Sequence, residues 1–299
     1  MSFQMKNAKA RRGIQAAVAS LFAVFASVAH ADWGGLNMHE GVTILSREIY
    51  SLHMTIFYYC VAIGVVVFGV MIYSLVKFRK SQGAQADTTL VHSTKVEIIW
   101  TVIPILILIA MAVPTAKGLI KIEDMGNVEL NIKVTGYQWK WEYEYLGHDV
   151  SFFSTLKRDS NLARQLGSGV DPRTIPNYLL DVDNPLVVPA GTKIRFLLTA
   201  QDVIHAWWVP AFGMKKDAIP GYVNEIWVQV DADKVGTYRG QCAELCGQDH
   251  GFMPIVVEVK SPAEYDAWLR AKQAEQKLAG VAPNASAAIA SAAPAALAQ

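Results

Sequence analysis

Val128-Glu-Leu-Asn-Ile-Lys-Val134, followed by Trp139-Lys-Trp-Glu-Tyr-Glu-Tyr145, decides how the second half of this chain folds. Apolar and polar residues alternate strictly, the period of a strand with one face in a core. Ile194, Phe196 and Leu198 repeat the pattern, as do Ile226, Val228 and Val230, and again Ile255, Val257 and Val259. Asn-Pro, Pro-Ala-Gly and Pro-Gly turns separate these runs, so the region predicts an all-β sandwich or barrel. Asp149 to Ile175 breaks the rhythm with Gly-Ser-Gly and scattered charges, and is expected to be an extended surface loop. Ser261-Pro-Ala-Glu264 places a capping Ser, a first-turn Pro and an N3 Glu ahead of Trp268 and Leu269, which predicts a short closing helix. The β domain is thus expected over 122–279, with a disordered Ala/Pro-rich tail over 280–299.

Upstream the texture is different. The 299 residues are 52% hydrophobic and only 18% charged, with a mean hydropathy of +0.23. Soluble domains carry about a quarter charged residues. The 27 basic residues nearly cancel the 26 acidic ones, which argues against nucleic acid as a partner, and three cysteines are too few for a disulfide scaffold. The excess apolarity lies in two uncharged runs, Met54–Val76 and Ile98–Ala116. Each meets the roughly 20-residue length needed to cross a bilayer. They predict a transmembrane hairpin within 32–121, with spans at about 54–76 and 98–119. Between them Lys77, Arg79, Lys80 and Lys95 outnumber Asp87 and Glu97, which puts that loop in the cytoplasm and the β domain in the periplasm. Pro104 and Pro114 interrupt the second span, a pattern tolerated where neighbours satisfy the freed carbonyls, so a partner protein and lipid are expected around the hairpin. Lys6, Lys9, Arg11 and Arg12, an uncharged run from Gly13, and Ala29-His-Ala31 predict a signal peptide over 1–31.

The chemistry concentrates in Cys242-Ala-Glu-Leu-Cys246-Gly-Gln-Asp-His250-Gly-Phe-Met253, with His205 upstream in Asp202-Val-Ile-His205-Ala-Trp. A periplasmic Cys pair by itself reads first as a disulfide, and two Cys with two His would also serve zinc. Met253 is a poor zinc ligand, however, and a disulfide makes no use of His205, His250 or Met253. Thiolate, thioether and imidazole together select copper. One blue copper needs a single Cys, so the second suits a bridge between two coppers. Cys60 falls inside the first span and is expected to be a buried small hydrophobe.

These segments resemble subunit II of the aa3-type cytochrome c oxidases. The likeness rests on Lys95-Val-Glu-Ile-Ile-Trp-Thr101, Gly136-Tyr-Gln-Trp-Lys-Trp-Glu-Tyr-Glu-Tyr145, Asp202-Val-Ile-His205, Asp217-Ala-Ile-Pro-Gly221 and Cys242–Met253. The resemblance implies a two-helix transmembrane hairpin followed by a cupredoxin-like Greek-key barrel with a binuclear CuA centre. Cys242 and Cys246 would bridge two copper ions, and His205 and His250 would bind one each. Met253 and the backbone carbonyl of Glu244 would be weak axial ligands, and the Glu244 carboxylate would reach a magnesium ion shared with subunit I. Trp139 matches an exposed tryptophan through which electrons arrive from cytochrome c. Glu97 matches a carboxylate at the mouth of a proton path, and Glu144, Asp181, Asp183 and Asp202 match acids that dock cytochrome c. The expected partners are subunits I and III, cytochrome c and membrane lipid, in a bacterial inner membrane. The expected role is electron delivery for oxygen reduction in subunit I, coupled to proton translocation.

Tyr137 departs from a common His of that family, and the 149–175 segment is longer than in compact members. A quinol-oxidase subunit II lacks the ligand set. A copper chaperone has no use for the Trp139 run or for Glu97, and nitrous oxide reductase needs a large catalytic domain besides. A fused cytochrome c domain is excluded because no Cys-x-x-Cys-His occurs.

Overall fold

The computed structural model describes residues 37–278 apart from 84, 86–87 and 90–91. The expected signal peptide and the tail beyond 280 lie outside the described residues. Two long helices come first, α1 (Ile44–Lys77) and α2 (Thr94–Ile122). Both are long and apolar enough to cross a membrane, and among the described residues nothing covers their most apolar stretches. They outrun the expected spans. Thr43 opens α1 ten residues before the apolar run, because its hydroxyl accepts from Ser46 N–H while the Ser46 hydroxyl accepts from Thr43 N–H. Pro104 and Pro114 sit inside α2 without ending it. The helices meet at Gly118, where an added Cβ would stand 2.5 Å from Leu52 Cδ1, the small-residue contact that lets membrane helices approach. Cys60 is exposed on α1, not buried, since among the described residues none packs over that face.

The β domain comprises β1 (Leu130–Tyr137), β2 (Lys140–Tyr145), β3 (Val150–Ser154), β4 (Leu186–Pro189), β5 (Ile194–Ala200), β6 (His205–Val209), β7 (Met214–Ala218), β8 (Asn224–Val228), β9 (Gly236–Cys242) and β10 (Pro254–Lys260). They form two five-stranded sheets, ordered β3-β2-β1-β5-β8 and β4-β10-β9-β6-β7. The alternation in the sequence maps onto burial: Ile132, Val134, Trp141, Tyr143, Ile194, Phe196, Leu198, Ile255 and Val257 are fully buried in one core shared by both sheets. The Phe196 and Trp207 rings meet across it, tilted by 35° with centroids 5.0 Å apart. The Tyr145 hydroxyl donates to Val187 O at 2.7 Å and accepts from Val187 N–H at 3.0 Å, tying β2 to β4.

The segment 149–175 corrects the expected loop. It begins with β3, paired antiparallel to β2, and continues into α3 (Arg158–Ala163). The chain then returns along itself: Leu156 bridges Val182, Lys157 N–H donates to Asp181 O at 3.0 Å, and Leu179 N–H donates to the buried Ser160 hydroxyl at 3.2 Å. Short runs of five or six residues carry too few periods to stand out in sequence. The closing helix α4 (Pro262–Leu278) starts at the expected box, with Glu264 accepting from Ser261 N–H at 3.1 Å. Its Trp268 packs 5.3 Å from Tyr145.

Helix α1 is fastened to the β domain before it leaves. Thr43 bridges Val230, Val42 N–H donates to Ala211 O at 2.9 Å, and the Thr43 hydroxyl donates to Phe212 O at 2.8 Å. Arg47 forms a forked ion pair with Asp231. Leu45 is 1% exposed, so this collar is part of the domain's interior.

Candidate metal centre

Strands β6, β9 and β10 are neighbours, and that order brings the predicted ligands to one end of their sheet. His205 is the first residue of β6 and Cys242 the last of β9, while Met253 directly precedes β10. Ala243 N–H donates to Ala206 O at 3.0 Å and Cys242 N–H to Met253 O at 3.3 Å, which pins the loop between β9 and β10 at its root. The β1–β2 turn, carrying Gln138 and Trp139, lies over the same end.

The donor atoms converge. Cys242 Sγ lies 3.8 Å from Cys246 Sγ, 3.9 Å from His205 Nδ1 and 3.4 Å from Glu244 O. Cys246 Sγ lies 3.6 Å from His250 Nδ1 and 3.5 Å from Met253 Sδ. The two sulfurs are free thiols, far outside the roughly 2.05 Å of a disulfide. Each sulfur has one imidazole nitrogen beside it. His205, Cys242, Cys246 and Met253 are buried, and the His205, Cys242 and Cys246 donor atoms all fall within 4.8 Å of one another.

The surroundings tune these groups. Asp202 Oδ1 accepts from His205 Nε2–H at 2.9 Å, which fixes the tautomer and leaves the Nδ1 lone pair facing the Cys242 sulfur. Burial by itself would raise the Asp202 pKa. The hydrogen bonds from His205, Gln138 N–H and Val203 N–H outweigh it and hold the carboxylate below its usual range. Burial also pushes both thiols up, but the contact with the His205 imidazole and hydrogen bonding with the local backbone bring Cys242 down to about 7. Cys246 goes the other way, raised by burial and by the charge of Cys242. Ionising Cys242 therefore makes Cys246 the harder thiol to ionise. A Cβ added to Gly136 would stand 2.8 Å from His205 Cδ2, so the β1 backbone is seated directly against the imidazole.

The remaining predicted residues divide. Trp139 is half-buried, and its Nε1–H donates to Cys246 O at 3.1 Å. Gln138 Nε2 donates to the same carbonyl at 2.9 Å, a contact that sequence reasoning missed although Gln138 adjoins the singled-out tryptophan. The Glu244 side chain is exposed at the tip of the loop. Glu97 sits in the first turn of α2, far along the chain's path from the β domain, where a carboxylate favours the helix N-terminus. Among the docking candidates, Asp202 belongs to the centre itself and Glu144 is 9% exposed beside Lys133 Nζ at 3.3 Å. Asp181 accepts from Lys157 and Arg239, and Asp183 accepts from Thr155 N–H at 2.7 Å.

Comparison with known proteins identifies the family. The family described as "Cytochrome C oxidase subunit II, transmembrane domain" matches residues 31–117, and "Cytochrome C oxidase subunit II, periplasmic domain" matches residues 130–260. The chain is 42% identical over 229 residues to the "Probable cytochrome c oxidase subunit 2" of Rickettsia bellii, covering 76% of this chain and 80% of that protein. It is 37% identical over 235 residues to the cytochrome c oxidase subunit 2 of Arabidopsis thaliana, covering 78% of this chain and 88% of that protein. The crystal structure of the periplasmic domain of subunit II of the Bradyrhizobium japonicum cytochrome oxidase is 40% identical, with a TM-score of 0.43, covering 51% of this chain and 99% of that one. A membrane hairpin, a two-sheet domain and a His/Cys/Cys cluster at its end thus sit on a sequence matched along both halves, and the chain belongs to the cytochrome c oxidase subunit II family.

Proposed function

We propose that this chain takes single electrons from cytochrome c and passes them to haem in subunit I, and that His205, Cys242, Cys246, His250, Met253 and the Glu244 carbonyl would hold two copper ions for that purpose. One observation carries this: two free sulfurs 3.8 Å apart, each with its own imidazole nitrogen. The donor set fits copper, because soft sulfur and imidazole are what that metal selects. When bound, the copper pair would supply a one-electron acceptor whose charge is shared by two metals.

The chain's own residues do the rest. Cys242 gives up its proton first, and the carboxylate of Asp202 keeps His205 aligned with Nδ1 free. The strand ends of β6 and β9 fix two ligands at positions a flexible loop could not hold. Trp139 offers an indole at the surface that is hydrogen-bonded to the ligand loop, which supports its role as the contact for cytochrome c. Asp202, Glu144, Asp181 and Asp183 contribute negative field for docking while also holding internal partners. The exposed Glu244 carboxylate would hold a magnesium ion at the contact with subunit I, and Glu97 would open a proton path at the other membrane face. In this reading residues 1–31 are removed, 32–121 span the bacterial inner membrane twice, 122–279 lie in the periplasm and 280–299 form a tail. Oxygen reduction coupled to proton translocation takes place in subunit I, with subunit III as a further neighbour.

The test is copper content and electron paramagnetic resonance of the full chain in the purified oxidase. Two coppers per chain sharing one unpaired electron are expected, and Cys242→Ser or Cys246→Ser should abolish that signal. One copper per chain would overturn the bridged pair.

A further inference from the structure

Arg164 follows α3, and its guanidinium crosses from that segment to the loop bearing His250. Nη1 and Nη2 donate to the two Asp249 carboxylate oxygens at 3.1 and 3.0 Å, and Nε donates to Asn161 Oδ1 at 2.7 Å. Its Cζ stands 4.3 Å from the centre of the Phe252 ring. Asp249 and Phe252 are the two ends of the short turn that contains His250, and Phe252 N–H donates to Asp249 O at 2.9 Å. A single side chain therefore grips both ends of that turn, one by a fork and one by its flat face. Only 19% and 23% of the two charged side chains are exposed, so water screens the pair less than it does a surface bridge.

His250 needs such help more than its counterpart does. His205 opens a strand and is aligned by Asp202. The His250 turn lies outside both sheets, and among the described residues no carboxylate meets its ring. A cleft of about 260 Å³ lies beside the clamp, lined by Trp139, Leu156, Arg164, Asp249 and Phe252, so the fork forms part of its wall. The arm that carries Arg164 is itself fixed to the body, through the Leu156–Val182 bridge and the salt links of Asp181 to Lys157 and Arg239.

We propose that Arg164 is a positioning residue, a clamp from the α3 segment that sets the His250 turn and thereby the second imidazole of the metal centre. This rests on the copper assignment made above. Lysine cannot substitute fully, because an ammonium lacks both the fork and the flat face.

The experiment uses the full chain in detergent, first without copper and then loaded in the assembled oxidase. Amide hydrogen exchange in the copper-free chain is expected to speed up by about tenfold across 249–253 in Arg164→Gln, with Arg164→Lys intermediate. Arg173→Gln, a control at a side chain 91% exposed, should match wild type. After loading, Arg164→Gln should alter the line shape of the copper resonance, and Arg164→Lys should restore part of it. Wild-type exchange in Arg164→Gln would overturn the clamp, as would loosening spread evenly over the β-strands. A wild-type chain that holds no copper pair, with the turn still loosened in Arg164→Gln, would show that the copper assignment had failed and with it the ligand-positioning role.

Discussion

The indole N–H of Trp139 donates to the carbonyl of Cys246, and Gln138 Nε2 shares that acceptor. The turn between β1 and β2 is thereby fastened to the backbone of Cys246, whose sulfur lies beside His250, so a half-buried surface aromatic and a buried cysteine are joined through one hydrogen bond. Because the carbonyl has two donors, losing the indole N–H does not leave it unpaired.

Trp139→Phe is therefore expected to change unfolding stability by no more than about 1 kcal/mol and to leave copper content intact. Reduction of the centre by cytochrome c, followed by stopped flow, should slow, while later transfer to haem stays unchanged. Equal, mild slowing in Trp139→Phe and Trp141→Phe would remove any special role for Trp139.

Gly136→Ala places a methyl against the His205 ring. Overpacking of this kind costs about 1–3 kcal/mol, and here the strain falls on a ligand. The variant should bind copper more weakly than wild type in chelator competition. Unaltered binding would mean that β1 gives way instead of the imidazole.

Thr43→Val keeps the shape of the side chain but deletes the hydroxyl that caps α1 and bonds to Phe212 O. Both partners are buried, so a loss of about 1–3 kcal/mol is expected in the unfolding of the β domain. A melting curve of the full chain in detergent checks it, and an unchanged midpoint would refute it.

Between Ala116 and Gly280 there are 18 basic and 21 acidic residues, and the proposed docking role of Asp202, Glu144, Asp181 and Asp183 predicts an electrostatic encounter. Apparent affinity for a basic cytochrome c should fall as salt rises, because screening sets in over about 8 Å at physiological ionic strength. A flat response would point to an apolar dock.

Hydrogen bonds from the Ser261 hydroxyl and backbone N–H hold the Glu264 pKa below its usual value. A group whose pKa is lower folded than unfolded stabilises the fold above its unfolded pKa, and that contribution is lost as pH falls through the folded value. The first turn of α4 should therefore fray on acidification below the ordinary Glu range, read by amide exchange at 262–266. Glu264→Gln should show no such pH step.

Much of this was legible in the sequence because it rests on period and on ligand chemistry. Strands such as Ile194–Ala200 alternate over several periods, and the spacing of Cys242, Cys246, His250 and Met253 lets one loop deliver four donors. What escaped depends on contacts between distant residues. The strand Val150–Ser154 is short and its Phe152 and Phe153 do not alternate cleanly with polar residues. Arg164 and Asp249 are ordinary charges until the fold sets them 85 residues apart in sequence and in contact in space. Nothing local to Thr43 announces that its hydroxyl serves Phe212, whereas the helix signals near it are plain.

The collar at the top of α1 also fixes an order of events in biogenesis. Thr43 reaches its partner 169 residues later in the chain, and Arg47 reaches Asp231 184 residues later. Both membrane helices have been synthesised before those partners exist, so the hairpin must first insert with the outer end of α1 unsecured. Closing contacts of such long range is slow and comes only once the strands around them have formed. Completion of the β domain, the step that also assembles the two cysteines and two histidines, is then what locks the first helix in place. The lock on α1 and the gathering of the sulfur and imidazole groups thus arrive together, and a nascent chain that stalls before residue 231 has neither, although its hairpin is already inserted.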